Sequence, residues 1–243
     1  MCTVTFIPAG EKIFITSNRD EQILRSALQP AAYEFNSGSI IFPKDSQAGG
    51  TWIAMHGNGH AMVLLNGAFE KHHHEPPYRK SRGLVFLEIF DSEKPVQQFA
   101  EVDLLGIEPF TLVLWVGDAL WEMRWDGTQK FSTPKSAKVP QIWSSATLYD
   151  QIAIEKREHW FFDWLQQQAD FTMESIRAFH EFGGEGNQAI DLMMSRYGGV
   201  LKTISITSME LSPEGSTMRY QDKLTGVTSS GGWTLKNDKA RMP

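Results

Sequence analysis

Short apolar runs separated by turn residues come in pairs along this chain. Runs so closely spaced can pair only as antiparallel hairpins. Residues 3–7 and 12–17 flank a turn containing Pro8 and Gly10. Residues 51–56 and 60–66 flank Gly57-Asn58-Gly59, and Asn-Gly between two strand-like runs is a strong hairpin signal. Residues 110–116 and 120–125 meet across Gly117-Asp118, and 39–42 is a further short strand ended by Pro43. Helical spacing takes over after each β-rich stretch. Ser81 is placed to cap a helix through residue 90, with Leu84, Leu87 and Glu88 at helical intervals, and Pro95 suits the first turn of another helix to about residue 102.

The second half repeats the alternation. Residues 141–146 read as a strand. Asp150 caps a helix to about residue 168, with Ile154, Phe161 and Leu165 near one face. Residues 171–182 and 187–197 read as helices separated by Gly183-Gly184, and 201–209, 217–221 and 225–229 read as strands. Residues 70–80, with Pro76-Pro77, and 130–140 read as loops, and 237–243 as a frayed tail. Strands in runs and helices in runs point to antiparallel sheets covered by helices. With no internal repeat and no composition break, residues 1–243 read as a single α+β domain.

Composition narrows the function. The 243 residues are 41% hydrophobic and include 8 Trp and 15 Phe, enough for a large core. Acidic residues number 29 against 23 basic, a net charge of -6, which argues against a nucleic-acid partner needing a basic stripe. The N-terminal apolar run is too short for a secretory signal, and no run reaches the roughly 20 residues needed to span a bilayer. The expected localisation is cytoplasmic, with no membrane span.

Cys2 is the only cysteine, so neither an intramolecular disulfide framework nor a multi-cysteine metal site can form. Removal of Met1 would leave Cys2 with a thiol and a free α-amine on one residue. That amine titrates near pH 7.7–8.0 and can serve as a base for its own thiol. If residues 3–7 and 12–17 pair, the segment Asn18-Arg19-Asp20-Glu21 lies beside Cys2. Asp20 could then hold the α-amine and Arg19 could lower the thiol pKa. The plainer reading is a polar strand end with a solvated ion pair. His72-His73-His74 reads as a solvated loop, because adjacent side chains do not converge on one ion. No metal and no cofactor is expected. Trp160, Phe161, Phe162 and Trp164 read mainly as helix core, with any outward ring free to mark a partner surface.

Four motifs in order resemble the NRDE family, which includes the transport and Golgi organisation protein 2 group. They are Met1-Cys2 followed by Asn18-Arg19-Asp20-Glu21, then Gly49-Gly50-Thr51-Trp52, the strand-ending Asn66, and Ser81-Arg82-Gly83. The match is best over about the first 90 residues. The resemblance implies an N-terminal nucleophile hydrolase fold, a four-layer αββα sandwich. It is similar in pattern to penicillin V acylases and bile-salt hydrolases, cysteine amidases acting on non-peptide C–N bonds. By that likeness Cys2 is the nucleophile, Asp20 positions the α-amine, Asn66 is an oxyanion-hole donor, and Asn18 and Arg19 complete the catalytic set. Trp52, Ser145 and Lys202 fall among the substrate contacts. Ser17 stands where the acylases carry an arginine, Ser145 where they carry an asparagine, and Lys202 where they carry a late arginine; Lys keeps the charge and loses the planar fork. The implied substrate is a small acyl-amide or an acyl-thioester-like lipid derivative, and a homodimer is compatible with such an enzyme. The same resemblance carries an alternative: a non-catalytic binder or carrier of a hydrophobic ligand, lipid or haem, tied to secretion and Golgi organisation.

Overall fold

The computed structural model describes residues 3–234. Two seven-stranded antiparallel sheets lie face to face. The first holds β1 (Thr3–Ala9), β2 (Lys12–Gln22), β10 (Gln141–Ser144), β11 (Ser195–Arg196), β12 (Leu201–Ser212), β13 (Gly215–Asp222) and β14 (Thr228–Thr234). Its main path runs β10-β1-β2-β12-β13-β14, with β11 paired to β12. The second sheet runs in sequence order: β3 (Ala27–Phe35), β4 (Gly38–Asp45), β5 (Ile53–His56), β6 (Ala61–Asn66), β7 (Phe110–Val116), β8 (Ala119–Trp125) and β9 (Lys130–Lys135).

Alternation along the strands builds the layers. In β1 and β2, Val4, Phe6, Ile13 and Ile15 join the core between the sheets, with Ile53, Leu65, Val113 and Leu120. Ile7 and Phe14 point the other way, onto Phe161, Ile176 and Phe179 of α3 (Gln151–Gln166) and α4 (Met173–Phe182). Helices α1 (Arg82–Phe90) and α2 (Pro95–Glu101) cover the second sheet through Phe86, Phe90 and Phe99. The result is the expected αββα sandwich of two antiparallel sheets with flanking helices. Among the described residues, no helix is long and apolar enough to cross a membrane.

The hairpins and the caps at Ser81 and Asp150 fall where the sequence predicts them, and Thr172 is a further cap. Residues 3–9 pair with 12–18 across the Pro8–Gly10 turn region, and Ser81, Asp150 and Thr172 each accept a backbone N–H at a helix start. Three expectations need correction. Residues 130–140 are not all loop, because Lys130–Lys135 is the edge strand β9. Ala27–Phe35, which no expectation covered, is the opposite edge strand, β3, with a register shift between Leu28 and Ala31. Both contain a proline, Pro134 and Pro30, and an edge tolerates proline where a central strand does not. Residues 187–197 are not a helix. After one turn at Asn187, Ile190, Leu192 and Met194 turn inward at every second position, the period of extended chain rather than helix. The last strand lies at Thr228–Thr234 rather than 225–229. The expected fraying of 237–243 lies outside the described residues.

Two glycines fix α1 against the second sheet. The Thr51 N–H donates to the Gly83 carbonyl at 3.3 Å. A Cβ on Gly50 would lie 2.3 Å from the Gly83 carbonyl carbon and 2.6 Å from Leu84 N; one on Gly83 would lie 2.8 Å from Thr51 O. The two motifs that contain them are thus halves of one backbone contact. Gly50→Ala and Gly83→Ala are each expected to cost about 2 kcal/mol or more, through forced backbone displacement. Gly57→Ala, whose Cβ would meet nothing closer than 3.6 Å, should cost about 1 kcal/mol or less. Urea unfolding of the three variants checks the ranking.

Candidate functional site

Strand β2 runs through the middle of the first sheet, between β1 and β12. It continues past residue 17, so Asn18, Arg19, Asp20 and Glu21 lie inside the strand. Their side chains alternate between its two faces. Arg19 and Glu21 line a cleft of about 340 Å³ between the sheets, and Asn18 and Asp20 face the helical layer of α3 and α4.

The cleft wall comes from β2, the end of β4, the Gly50–Trp52 segment, the end of β6 and the start of α1. Arg19, 3% exposed, donates to Asp45 Oδ2 at 2.7 Å and to the Arg25 carbonyl at 2.9 Å. Its guanidinium lies 4.2 Å from the centre of the Trp52 ring. Trp52 is 3% exposed, and its Nε1 has no hydrogen-bond partner among the described residues. Asn66 ends β6 in the same wall; its carbonyl accepts the Ser145 hydroxyl at 2.7 Å. Gly67 follows at φ +82°, where a Cβ would strike Thr147 Oγ1 at 2.7 Å, so the turn that presents Asn66 requires glycine.

At the mouth, Arg82 pairs with Glu108 Oε2 at 2.9 Å. The other oxygen of Glu108 meets His72 Nε2 at 3.0 Å and His74 Nδ1 at 3.2 Å. The histidine run is therefore only partly solvated, because its first and third members bind one carboxylate. Burial pushes Arg82 and Arg19 below the usual arginine range, against the pull of Glu108 and Asp45. Burial raises Glu108, but Arg82 and the bonds from His72 and His74 outweigh it and leave its carboxyl below the ordinary range.

On the opposite face of β2, Asp20 accepts the Tyr149 hydroxyl at 2.7 Å and the Thr203 hydroxyl. Tyr149 lies under the guanidinium of Arg157, 3.5 Å from its ring centre. Arg157 is fully buried and donates to Thr3 Oγ1 and to the Ile190 and Asp191 carbonyls. The Asn18 amide donates to the His180 and Leu192 carbonyls at 3.0 and 2.7 Å. Its oxygen must then accept from His180 Nδ1, 2.7 Å away, so His180 is a neutral Nδ1–H tautomer whose Nε2 accepts from Thr5.

Of the residues singled out by sequence, Arg19, Trp52 and Asn66 meet in the cleft, with Ser145 behind Asn66. Asn18 and Asp20 lie on the far face of the strand. Lys202 stands beside Glu21 in the β12–β2 register, outside the described cleft lining. Cys2 lies outside the described residues; Thr3, which follows it, pairs with Asn18 on one side and Ser144 on the other. Arg25, Asp45, Glu108, Arg157 and His180 carried no signal, since their partners lie far along the chain or in irregular segments. Arg82 was visible only as part of its motif.

The Transport and Golgi organisation 2 family model matches residues 1–144. The chain belongs to this family. No curated protein sequence matches it. Among solved structures it is similar to the Caenorhabditis elegans ortholog of N-acylethanolamine-hydrolyzing acid amidase. That likeness has a TM-score of 0.54 and 11% identity, covering 86% of this chain and 92% of the other. It is also similar to a variant of conjugated bile acid hydrolase from Clostridium perfringens, with a TM-score of 0.50 and 10% identity over 98% of both chains. At such identities the likeness establishes the fold, that of the N-terminal nucleophile hydrolases.

Burial holds the His180 pKa at about 3, against 6.5 for a free imidazole, with the charges of Arg177 and Arg157 adding to the effect. Between pH 6.5 and about 3 the unfolded chain therefore takes a proton that the native chain refuses, so stability falls as pH drops through that window. From pH 7 to pH 5 the native protein should lose roughly 2 kcal/mol more than a His180→Gln variant. Urea unfolding at the two pH values measures this. Equal losses in both proteins would contradict a neutral buried His180.

Proposed function

We propose that the protein hydrolyses non-peptide amide bonds, with Cys2 as its nucleophile after removal of Met1. One observation carries the reading: Asn66 and Arg19 share one cleft, and β1, the strand that Cys2 precedes, is the direct neighbour of β2. In β1, Val4 and Phe6 face the space between the sheets. Arg19 follows Asn18, the residue of β2 that pairs with Thr3, and faces the same space. The fold shared with two amide-hydrolysing enzymes is consistent with this.

In the proposed reaction the α-amine of Cys2 accepts the thiol proton. The thiolate attacks the amide carbonyl, and the carboxamide of Asn66 with a backbone N–H stabilises the oxyanion. The α-amine returns its proton to the leaving nitrogen as the C–N bond breaks, leaving a thioester. Water then attacks the thioester, releasing the carboxylic acid and restoring the thiol. Asp20 orients the α-amine, with Tyr149 and Thr203 fixing its carboxylate. Arg19 adds positive charge to the thiol's surroundings.

A carrier of lipid or haem calls for apolar walls. The described lining instead carries Arg19, Glu21, Arg25, Asp45, Lys80, Arg82 and Glu108, which favours the hydrolase. The test is the intact mass of untagged protein before and after a thiol-directed acylating probe. Loss of Met1, with full labelling in the wild type and none in Cys2→Ala, is expected. Asn66→Ala should keep the label yet slow turnover of amide substrates by about 10²–10³-fold. A retained Met1, or a Cys2 no more reactive than a free thiol, would overturn the mechanism.

A further inference from the structure

The hydrogen-bonding capacity of the cleft wall is lopsided. Every oxygen of its three carboxylates already has at least one partner. Glu21 Oε1 accepts from Gln22 N and its Oε2 from Arg25. Asp45 Oδ1 accepts from Gln47 N and Ala48 N; its Oδ2 accepts from Arg19 and lies 2.9 Å from Arg25 Nε as an ion pair. Glu108 Oε1 takes His72 and His74, and its Oε2 takes Arg82. The donors are not used up. Among the described residues, Arg19, Arg25 and Arg82 each engage two polar partners with two of their three nitrogens, and Lys80 engages only Glu88, so much of the donor capacity of three guanidiniums and an ammonium remains.

Three further observations point the same way. Burial lowers both Arg19 and Arg82; Asp45 and Glu108 pull the other way, and the charge of Arg25 adds a smaller lowering to each. The first turn of α1, nine residues long and opening at Arg82, contributes Arg82 and Gly83 to the wall, at the positive end of the helix dipole. The buried Nε1 of Trp52 is one more donor without a partner among the described residues.

Taking the hydrolase reading as its basis, we propose that the cleft selects amides bearing a carboxylate, held at its mouth by Arg82, Lys80 and the first turn of α1. An anion there meets the free donors of Arg82, Lys80 and the first turn of α1. A cationic ligand finds no unoccupied carboxylate oxygen, and a neutral one leaves the surplus donors unanswered. The carboxylate can sit on the amine side or the acyl side of the scissile bond, two sources of one chemistry.

The experiment is calorimetric titration of the full chain carrying Cys2→Ala, so that binding is read without turnover. Two ligand pairs are compared: N-phenylacetylglycine with N-phenylacetylglycinamide, and N-glutarylaniline with its terminal primary amide. The acid of at least one pair should bind about tenfold more tightly than its neutral partner, and the pair that discriminates identifies the side. Arg82→Gln should abolish the preference. Lys80→Gln, at a half-exposed site where folding is not at stake, should reduce it several-fold. Equal affinities within both pairs, or no binding of either acid at millimolar concentration, overturns the proposal. The two readings fail separately. A preference for the acid in binding without turnover by the wild type leaves this inference standing and removes the hydrolase. Turnover of acid and neutral amides with equal kcat/KM and equal affinity does the reverse.

Discussion

Strand β2 carries four consecutive polar residues through the middle of a sandwich, and three of them, Asn18, Arg19 and Asp20, are at most 3% exposed. A central strand has no solvent side, so each group must find partners within the protein on whichever face it points to. Asn18 finds them at residues 180 and 192, Asp20 at 149 and 203, and Arg19 at 25 and 45. The helical layer, β12 and the second sheet are thus registered on one strand. Removing one partner from a buried ionic contact such as Arg19–Asp45 would leave the other charge unpaired, typically about 3–5 kcal/mol. Apolar packing supplies the bulk of the cohesion, but these contacts specify which face of β2 meets the helices and which meets the cleft.

The same logic extends to β1. Its outward residues Thr3 and Thr5 are fully buried and hydroxylic, bound by Arg157 and by neutral His180. A strand start usually frays, because its last backbone bonds compete with water. Here the first described residue pairs with strands on both sides and is bonded by a buried guanidinium from beneath. The start of β1 is thereby held on three sides, by β2, by β10 and by Arg157.

How much of this could be read from the sequence depends on range. The hairpins at 3–18 and 51–66 are local events governed by turn residues and period-two apolar spacing, and they formed where expected. The helix caps at Ser81 and Asp150 are equally local. The edge strands β3 and β9 escaped because they are solvent-facing and each contains a proline, so the composition resembles that of a loop. The 187–197 segment misled because its apolar residues are close enough to suggest a helix, while their true spacing is that of extended chain. In the cleft, Arg19, Trp52 and Asn66 stand in recognisable motifs. Asp45, Glu108 and Arg157 are single charged residues without local context, and only the fold brings them to their partners.

The alternation within β2 bears on the proposed chemistry. The carboxylate that shares the Arg19 face, Glu21, is bound by Gln22 N and Arg25. Asp20 faces away, and its contacts with Tyr149 and Thr203 draw it toward the helical layer. The acidic group required to orient an amine is thereby separated by the thickness of one strand from the basic wall required to hold an anion. A tetrapeptide that alternates amide, cation, carboxylate and carboxylate along a two-faced strand achieves that division, because successive side chains of a strand cannot share a face.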